Sequence, residues 1–203
     1  MDRLINRTIE SLQKNGFIVD YFEDINGAKK HILEKIDQKV DVGIGGSMTI
    51  FESGLHTDLM DRGNGISWHW LEKPEDKYMA LERASRTPIY MSSANAITQD
   101  GKIINIDGVG NRVASTFYGH DTVYIIAGVN KIVENIEDGI KRIKTDACPK
   151  NAERLGLNTP CRHTGKCHDC KSDDRMCNVT VIIESKPAKT DINIILVNES
   201  LGY

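Results

Sequence analysis

No stretch of this sequence is apolar over the roughly 18 residues that a membrane-spanning helix needs. The opening residues, MDRLINRTIESLQKNG, lack the apolar centre of a secretory leader and read as a polar-faced helix. An excess of one charge is also missing. Lys and Arg number 26 against 29 Asp and Glu, a formal net charge of −3. That balance argues against general binding of nucleic acid or of anionic membrane surfaces. No segment repeats and none is of low complexity. The expected protein is cytoplasmic, with no membrane insertion and no nucleic-acid partner. A length of 203 residues suits one domain with a buried core, expected over 1–203, better than two small ones.

Cysteine is absent from the first 147 residues, and all five cysteines fall within 148–177. An odd number of thiols in a chain with no export signal speaks against a disulfide framework. Thiols grouped this way more often bind metal.

What is present is an alternation of strand and helix signals. Ile5, Ile9 and Leu12 recur at helical spacing, and Asn15-Gly16 supplies a stop. Phe17–Val19 reads as a short strand. Asn26 is placed to cap a helix carrying Ile32, Leu33 and Ile36. Val40–Ile44 reads as a buried strand, broken by Gly45-Gly46-Ser47, with Ser47 capping the helix that follows. Further strands are expected at Ile66–Trp68, Pro88–Met91, Val123–Ala127, Val179–Ile183 and Ile192–Val197. Pro74 suits the first turn of a helix running toward Arg86. Asp100-Gly101, between Ala96-Ile97 and Ile103-Ile104, is a hairpin signal. A helix is expected over Ile132–Ile143. The fold class implied is α/β, a mainly parallel sheet with helices on both faces. Ligands of such sheets bind beyond the carboxyl ends of the strands, where Gly45-Gly46-Ser47 falls.

Four motifs carry candidate chemistry. Gly45 and Gly46 let backbone approach a ligand, the helix start after them offers free N–H groups, and Ser47 and Thr49 add hydroxyls. The Lys-Ser/Thr ending of a nucleotide phosphate loop is absent, and the glycine spacing is not that of a dinucleotide fingerprint. The plain alternative is a tight strand-to-helix turn. The segment from Ser93 to Arg112 is dense in polar groups and glycines: Asn95, Thr98, Asn105, Asp107, Gly108, Gly110, Asn111 and Arg112. Arg112 is a candidate two-pronged clamp for a carboxylate or phosphate, and Asp107 a candidate acid or base. The alternative there is a hairpin followed by a capped helix, with Asp107 bonding its own backbone. Glu52, one turn beyond the glycines, is a second candidate nucleophile or base, or else a solvated helix residue. His56, Trp68, His69 and Trp70 are candidate pocket walls or core, and Lys131 brings a cation to the end of a core strand.

The fourth motif is Cys161, Cys167, Cys170 and Cys177. Cys167 and Cys170 form a CxxC that places two thiolates on one metal, and the outer pair brackets it. Zinc and iron–sulfur clusters both accept four thiolates, although the spacing matches neither a standard zinc ribbon nor the common ferredoxin run. Cys148, beside Pro149, is expected to be structural and outside the set, with His163 and His168 as reserve ligands. Reduced, unliganded thiols in a polar loop are the alternative.

The order of these motifs resembles the lactate-utilisation (LUD) domain family, long a domain of unknown function. The resemblance is carried by Gly45-Gly46-Ser47-Met48-Thr49, Asn95–Gly101, Asn105–Ala114 and Ala127–Val133, and it spans nearly the whole chain. It implies a fold related to the ribose-5-phosphate isomerase and CoA-transferase group, with a ligand cleft at the glycine loop. It also implies a link to oxidation of L-lactate to pyruvate beside iron–sulfur oxidoreductase partners. The resemblance brings no catalytic residue with it. The leading expectation is a small anionic metabolite held by Gly45, Gly46, Ser47, Thr49, Asn95, Thr98, Asp107, Gly108, Gly110, Asn111, Arg112 and Lys131, with a metal or cluster on the four cysteines. The rivals are an isomerase or acyl-transfer enzyme using Asp107 or Glu52, and a subunit or assembly factor of an iron–sulfur redox complex.

Overall fold

Along Ile89–Ser92 the side chains of Ile89 and Met91 enter one core while Tyr90 enters another. Along Thr122–Gly128, Tyr124 and Ile126 join the first, and Val123, Ile125 and Ala127 the second. This is the two-residue period of a sheet buried on both faces. The computed structural model describes residues 3–203.

In chain order the elements are α1 (Arg3–Lys14), β1 (Ile18–Phe22), α2 (Ile25–Lys35), β2 (Val42–Ile44), α3 (Met48–Ser53), α4 (Leu55–Asp61) and β3 (Ile66–Ser67). Then come α5 (Lys77–Ala84), β4 (Ile89–Ser92), β5 (Ala96–Thr98), β6 (Ile103–Asp107), α6 (Asn111–Ser115), β7 (Thr122–Gly128) and β8 (Ile132–Val133). The chain continues through α7 (Ile136–Arg142), α8 (Cys148–Leu155), α9 (Pro160–Thr164), β9 (Val179–Ile183) and β10 (Asp191–Val197).

The strands form two sheets. The larger has six parallel strands in the order β1-β10-β7-β4-β2-β3. The smaller has the order β8-β5-β6-β9; β6 pairs antiparallel with both neighbours, and β5 pairs parallel with β8. On one face of the larger sheet lie α2, α3 and α4, through Ile32, Ile50, Leu55 and Leu59, with Trp68 fully buried among them. The other face packs against α1 and against Ile97, Ile103 and Ile183 of the smaller sheet. The far side of the smaller sheet is covered by Ile136, Ile140, Ile143 and Ala147.

The strand-rich pattern is therefore α/β with a parallel sheet, but the single sheet expected from the sequence divides in two. The hairpin at Asp100-Gly101 lies in the smaller of the two. Gly101 adopts φ +82°, the turn reverses the chain, and β6 then pairs with β5 and β9 in the smaller sheet and not with the strands of the larger one. Other boundaries shift for local reasons. Asp24 caps α2, accepting from Gly27 N at 2.8 Å, so Asn26 lies inside the helix. Ile132 pairs with Ile97 in the smaller sheet, and the helix starts only after Asn135, which accepts from Asp138 N at 3.0 Å. A wide helical turn over Ile143–Ala147 joins α7 to α8 just before Pro149, whose missing N–H loosens the helix there.

Candidate functional site

Three parallel strands, β2, β4 and β7, end side by side, and the chain does something different at each end. After β2 it turns through Gly45-Gly46 into α3, capped by Ser47, which accepts from Ile50 N at 3.2 Å. After β4 it crosses through Ser93 and Ala94 into the smaller sheet at β5. After β7 it makes one tight turn, Val129–Lys131, and crosses into the smaller sheet at β8. Both crossings lie at the seam between the sheets. They enclose a cleft of about 280 Å³ lined by Gly46, Ser47, Thr49, Ser93, Asp107 and Lys131, among others. This is where ligands of open parallel sheets bind.

One wall is built on Arg112. Its Nη1 donates to Asn105 Oδ1 at 2.8 Å, and Nη2 donates to Asn95 Oδ1 at 3.1 Å and to Ile106 O at 2.7 Å. Nε lies 3.2 Å from Asp107 Oδ2, and Nη1 also reaches Ser93 O at 3.5 Å. The guanidinium is thus consumed by the protein. Its side chain is only 11% exposed and that of Asp107 10%. Arg112 is a wall former rather than the open two-pronged clamp expected from the sequence. Gly45 makes room for it: a Cβ there would lie 2.8 Å from Arg112 Cγ and 2.8 Å from Tyr90 Oη. Asn95 and Asn105 interlock with the same wall, Asn95 N donating to Asn105 Oδ1 and Ile106 N to Asn95 Oδ1, each at 3.0 Å. Asp107 Oδ1 accepts from Val109 N and Gly110 N, both at 3.2 Å, a turn that starts α6. Its Oδ2 is ion-paired with Arg112 Nε but buried without a hydrogen bond, so Asp107 is committed to the wall through its charge and through Oδ1.

The floor holds Lys131, 2% exposed. Its Nζ donates to Ser93 Oγ at 2.8 Å and to Thr49 Oγ1 at 3.1 Å. No carboxylate pairs with it among the described residues. Burial, followed by the Arg142 and Arg112 charges, lowers its pKa to about 7, with Glu52 opposing. The segment after β10 packs over this group: Thr49 Oγ1 reaches Leu201 O at 3.3 Å, and Leu201 N donates to Asn130 Oδ1 at 3.2 Å.

The opposite wall carries His69, Trp70, Arg154 and Tyr203. The Arg154 guanidinium lies 4.6 Å over the Trp70 ring, and Arg154 Nε donates to Tyr203 Oη at 2.8 Å. His69 has a lowered pKa, chiefly from burial and then from Lys77 and Arg154. Its buried Nδ1 has no partner.

Of the expected ligand residues, Gly46, Ser47, Thr49, Asn95, Asp107, Gly108, Asn111, Arg112 and Lys131 line the cleft. Gly45 stands behind Arg112. Gly110 takes φ +96° at the start of α6. Thr98 serves the hairpin, accepting from Lys102 N at 2.9 Å and bonding Asp100. Glu52 is exposed on α3 and outside the lining. Trp68 belongs to the core, and His56 stacks on Phe51 and meets Trp68 edge to face. The residues that sequence reasoning passed over are Ser93, Arg154 and Tyr203. Ser93 had a signal, since it directly follows a buried parallel strand. Arg154 and Tyr203 arrive from distant segments and had none.

The cysteine segment rests against this site. Cys148 and Met176 line the cleft. Asn178 N donates to Asp107 O at 2.9 Å, and Asn178 Nδ2 to Gly108 O at 3.1 Å. All five thiols are free and partly buried. Cys167 Sγ accepts from Asp169 N at 3.4 Å, Cys161 Sγ meets Thr159 Oγ1 at 3.3 Å, and the Arg175 guanidinium bonds Cys170 O and Cys177 O. Cys148 is not remote from the others: burial first, then Cys177, Cys161 and Cys167, push its thiol up to about 12. Among the described residues no group of three or more His, Cys, Asp or Glu side chains is placed to hold a metal ion. The thiols as they stand therefore do not form a finished coordination shell.

Comparison with known proteins agrees with this architecture. The family model of the LUD domain matches residues 5–197. The chain is similar to a DUF162 family protein from Deinococcus radiodurans, known from a crystal structure, with TM-score 0.53, 10% identity and 96% of each chain covered. At that identity the likeness concerns the fold. No curated protein matches the sequence. The chain belongs to the LUD domain family, and the family supports a role related to lactate utilisation.

Proposed function

We propose that the cleft binds a small organic anion of the 2-hydroxy- or 2-oxo-carboxylate kind, with Lys131 as its counter-charge. The observation that carries this reading is a buried lysine with two hydroxyl partners and no carboxylate, on the floor of a cleft. A cation removed from water without a partner is costly, and natural proteins pair it. An anionic ligand completes the pair. Thr49 stands beside it, and Ser47 and Asn111 line the same cleft as polar groups for the rest of the ligand. The helix after the glycine loop has only six residues, so its dipole adds little and the lysine supplies most of the attraction. The volume of about 280 Å³ suits a small acid. Tying the carboxylate class to lactate rests on the family. Titration calorimetry of the purified chain with L-lactate, pyruvate and a neutral amide analogue tests it. Binding of the acids and not of the amide is expected.

A second reading concerns Cys161, Cys167, Cys170 and Cys177. The Cys167 sulfur is part-exposed and accepts from Asp169 N at 3.4 Å, and Cys170 stands three residues on in the same loop. The loop is polar and has little apolar surface with which to order itself, and metal binding would supply free energy for closing it. We infer that zinc or an iron–sulfur cluster binds after the loop rearranges. An iron–sulfur oxidoreductase partner would then meet the protein at this face. Elemental analysis after purification without oxygen tests the metal; co-purification from the native cell tests the partner.

A further inference from the structure

Lys131 is more than a fixed positive charge. Its nitrogen sits at the seam of the two sheets, and both of its partners are neutral hydroxyls that can give or take a proton. Neither Asp107 nor Glu52 forms an ion pair with it, although the Glu52 charge acts on it from a distance. Asp107 is held by Arg112 and by two backbone amides. Glu52 is exposed on α3. An amine enclosed in this way keeps a usable lone pair near neutral pH, consistent with its lowered pKa.

We propose that Lys131 is a carbonyl-reactive amine that forms an imine with a small 2-oxo carboxylate bound in the cleft. The inference rests on the anion-site reading and deepens it by naming the reacting atom. The steps balance without any oxidant or reductant. The Nζ lone pair attacks the C2 carbonyl carbon, the new C–N bond forms, and the carbonyl π electrons move to oxygen. A proton passes from nitrogen to that oxygen, giving a carbinolamine. The C–O bond then breaks, the hydroxyl takes a proton and leaves as water, and the nitrogen lone pair closes the C=N bond. Overall, one neutral amine, one carbonyl and one proton taken up from solvent give one iminium and one water. Ser93 Oγ and Thr49 Oγ1 already share the nitrogen and carry the proton between the two heavy atoms. The iminium carries a positive charge, and the carboxylate of the same molecule neutralises it. A ketone without a carboxylate lacks that compensation. A 2-hydroxy acid lacks the carbonyl and binds without reacting.

The test uses the full chain with pyruvate and sodium cyanoborohydride, read by intact mass and by peptide mapping. The expected result is a single reduced adduct confined to Lys131, absent with acetone, absent with L-lactate alone, and slowed by excess L-lactate. Ser93→Ala should slow trapping by about tenfold or more, as loss of a proton relay does, with both proteins compared at a temperature where each is fully folded. Lys131→Met should give no adduct. The mapping on wild-type protein stands even if that variant folds poorly. Adducts spread over surface lysines, equal labelling of the Met variant, or no adduct at all would overturn the proposal. If calorimetry still detects pyruvate when no adduct forms, the imine is wrong and the anion site stands. If neither binding nor adduct is seen, both fall.

Discussion

Lys131 Nζ lies 2.8 Å from Ser93 Oγ across the seam of the two sheets, and a lysine so placed makes stability depend on pH in a defined direction. Its pKa in the folded chain is lowered to about 7 from the ordinary 10.5. Between those values the unfolded chain binds more protons than the folded one, so stability from this group rises with pH through the window. Below about pH 7 both states are protonated and the destabilisation is full and constant. Urea unfolding of ligand-free wild type and Lys131→Met, at pH 6.5 to 9, should show the wild type gaining on the variant as pH rises.

Arg112 should prove a structural residue. Arg112→Lys removes the planar fork that bonds Asn95, Asn105 and Ile106 together, and a lysine cannot reproduce it. We expect a loss of roughly 2–4 kcal/mol, within the range for breaking a buried charged network. Asp107→Asn keeps an oxygen for the Val109 and Gly110 amides but loses the carboxylate beside Arg112 Nε, and should cost less than Arg112→Lys, which removes several bonds at once. Denaturant midpoints of the two variants check the ranking; equal costs would contradict it.

The two glycines of the loop should differ. A Cβ on Gly45 collides with Arg112 and Tyr90, whereas on Gly46 it meets Trp70 at an ordinary 3.6 Å. Gly45→Ala should destabilise by about 1–3 kcal/mol through forced repacking. Gly46→Ala should fold normally and weaken anion binding by narrowing the cleft. Melting temperature and binding, measured on both, separate the roles.

The cysteine loop should talk to the cleft. Met176 packs on Gly108, Asn178 bonds Asp107 and Gly108, and Cys148 lines the cavity. If the loop closes on metal, these contacts move, and anion affinity should differ between metal-loaded protein and the Cys167→Ser, Cys170→Ser double variant. Metal content and pyruvate affinity measured on the same anaerobic samples test this. Equal, negligible metal in both would remove the metal reading.

Much of this architecture is legible in the sequence because local chemistry determines it. Val123–Ala127 is apolar at every position, and Ser47 stands where a helix must be capped. Asp100-Gly101 marks the hairpin by turn chemistry. What the sequence does not reveal is what happens between elements. The second sheet arises from pairings such as Ile97 with Ile132 and Ile104 with Ile182, which no local pattern encodes. The saturation of Arg112 and the isolation of Lys131 are likewise sums over distant partners. An arginine in a polar motif reads as a clamp until its hydrogen bonds are counted. A lysine after a core strand reads as ordinary until its missing carboxylate is noticed.

Lys131 is proposed to supply the charge that holds an organic anion. Calorimetric titration of pyruvate and L-lactate into wild type and Lys131→Met, at matched pH and salt, tests it most directly. The expected result is binding to the wild type and a loss of at least about tenfold, or about 1.4 kcal/mol, in a variant that melts no lower than the wild type. L-lactate binding should weaken as pH rises above about 7, where the lysine loses its proton. Equal affinity in both proteins, or no binding by either at any pH in that range, would contradict it.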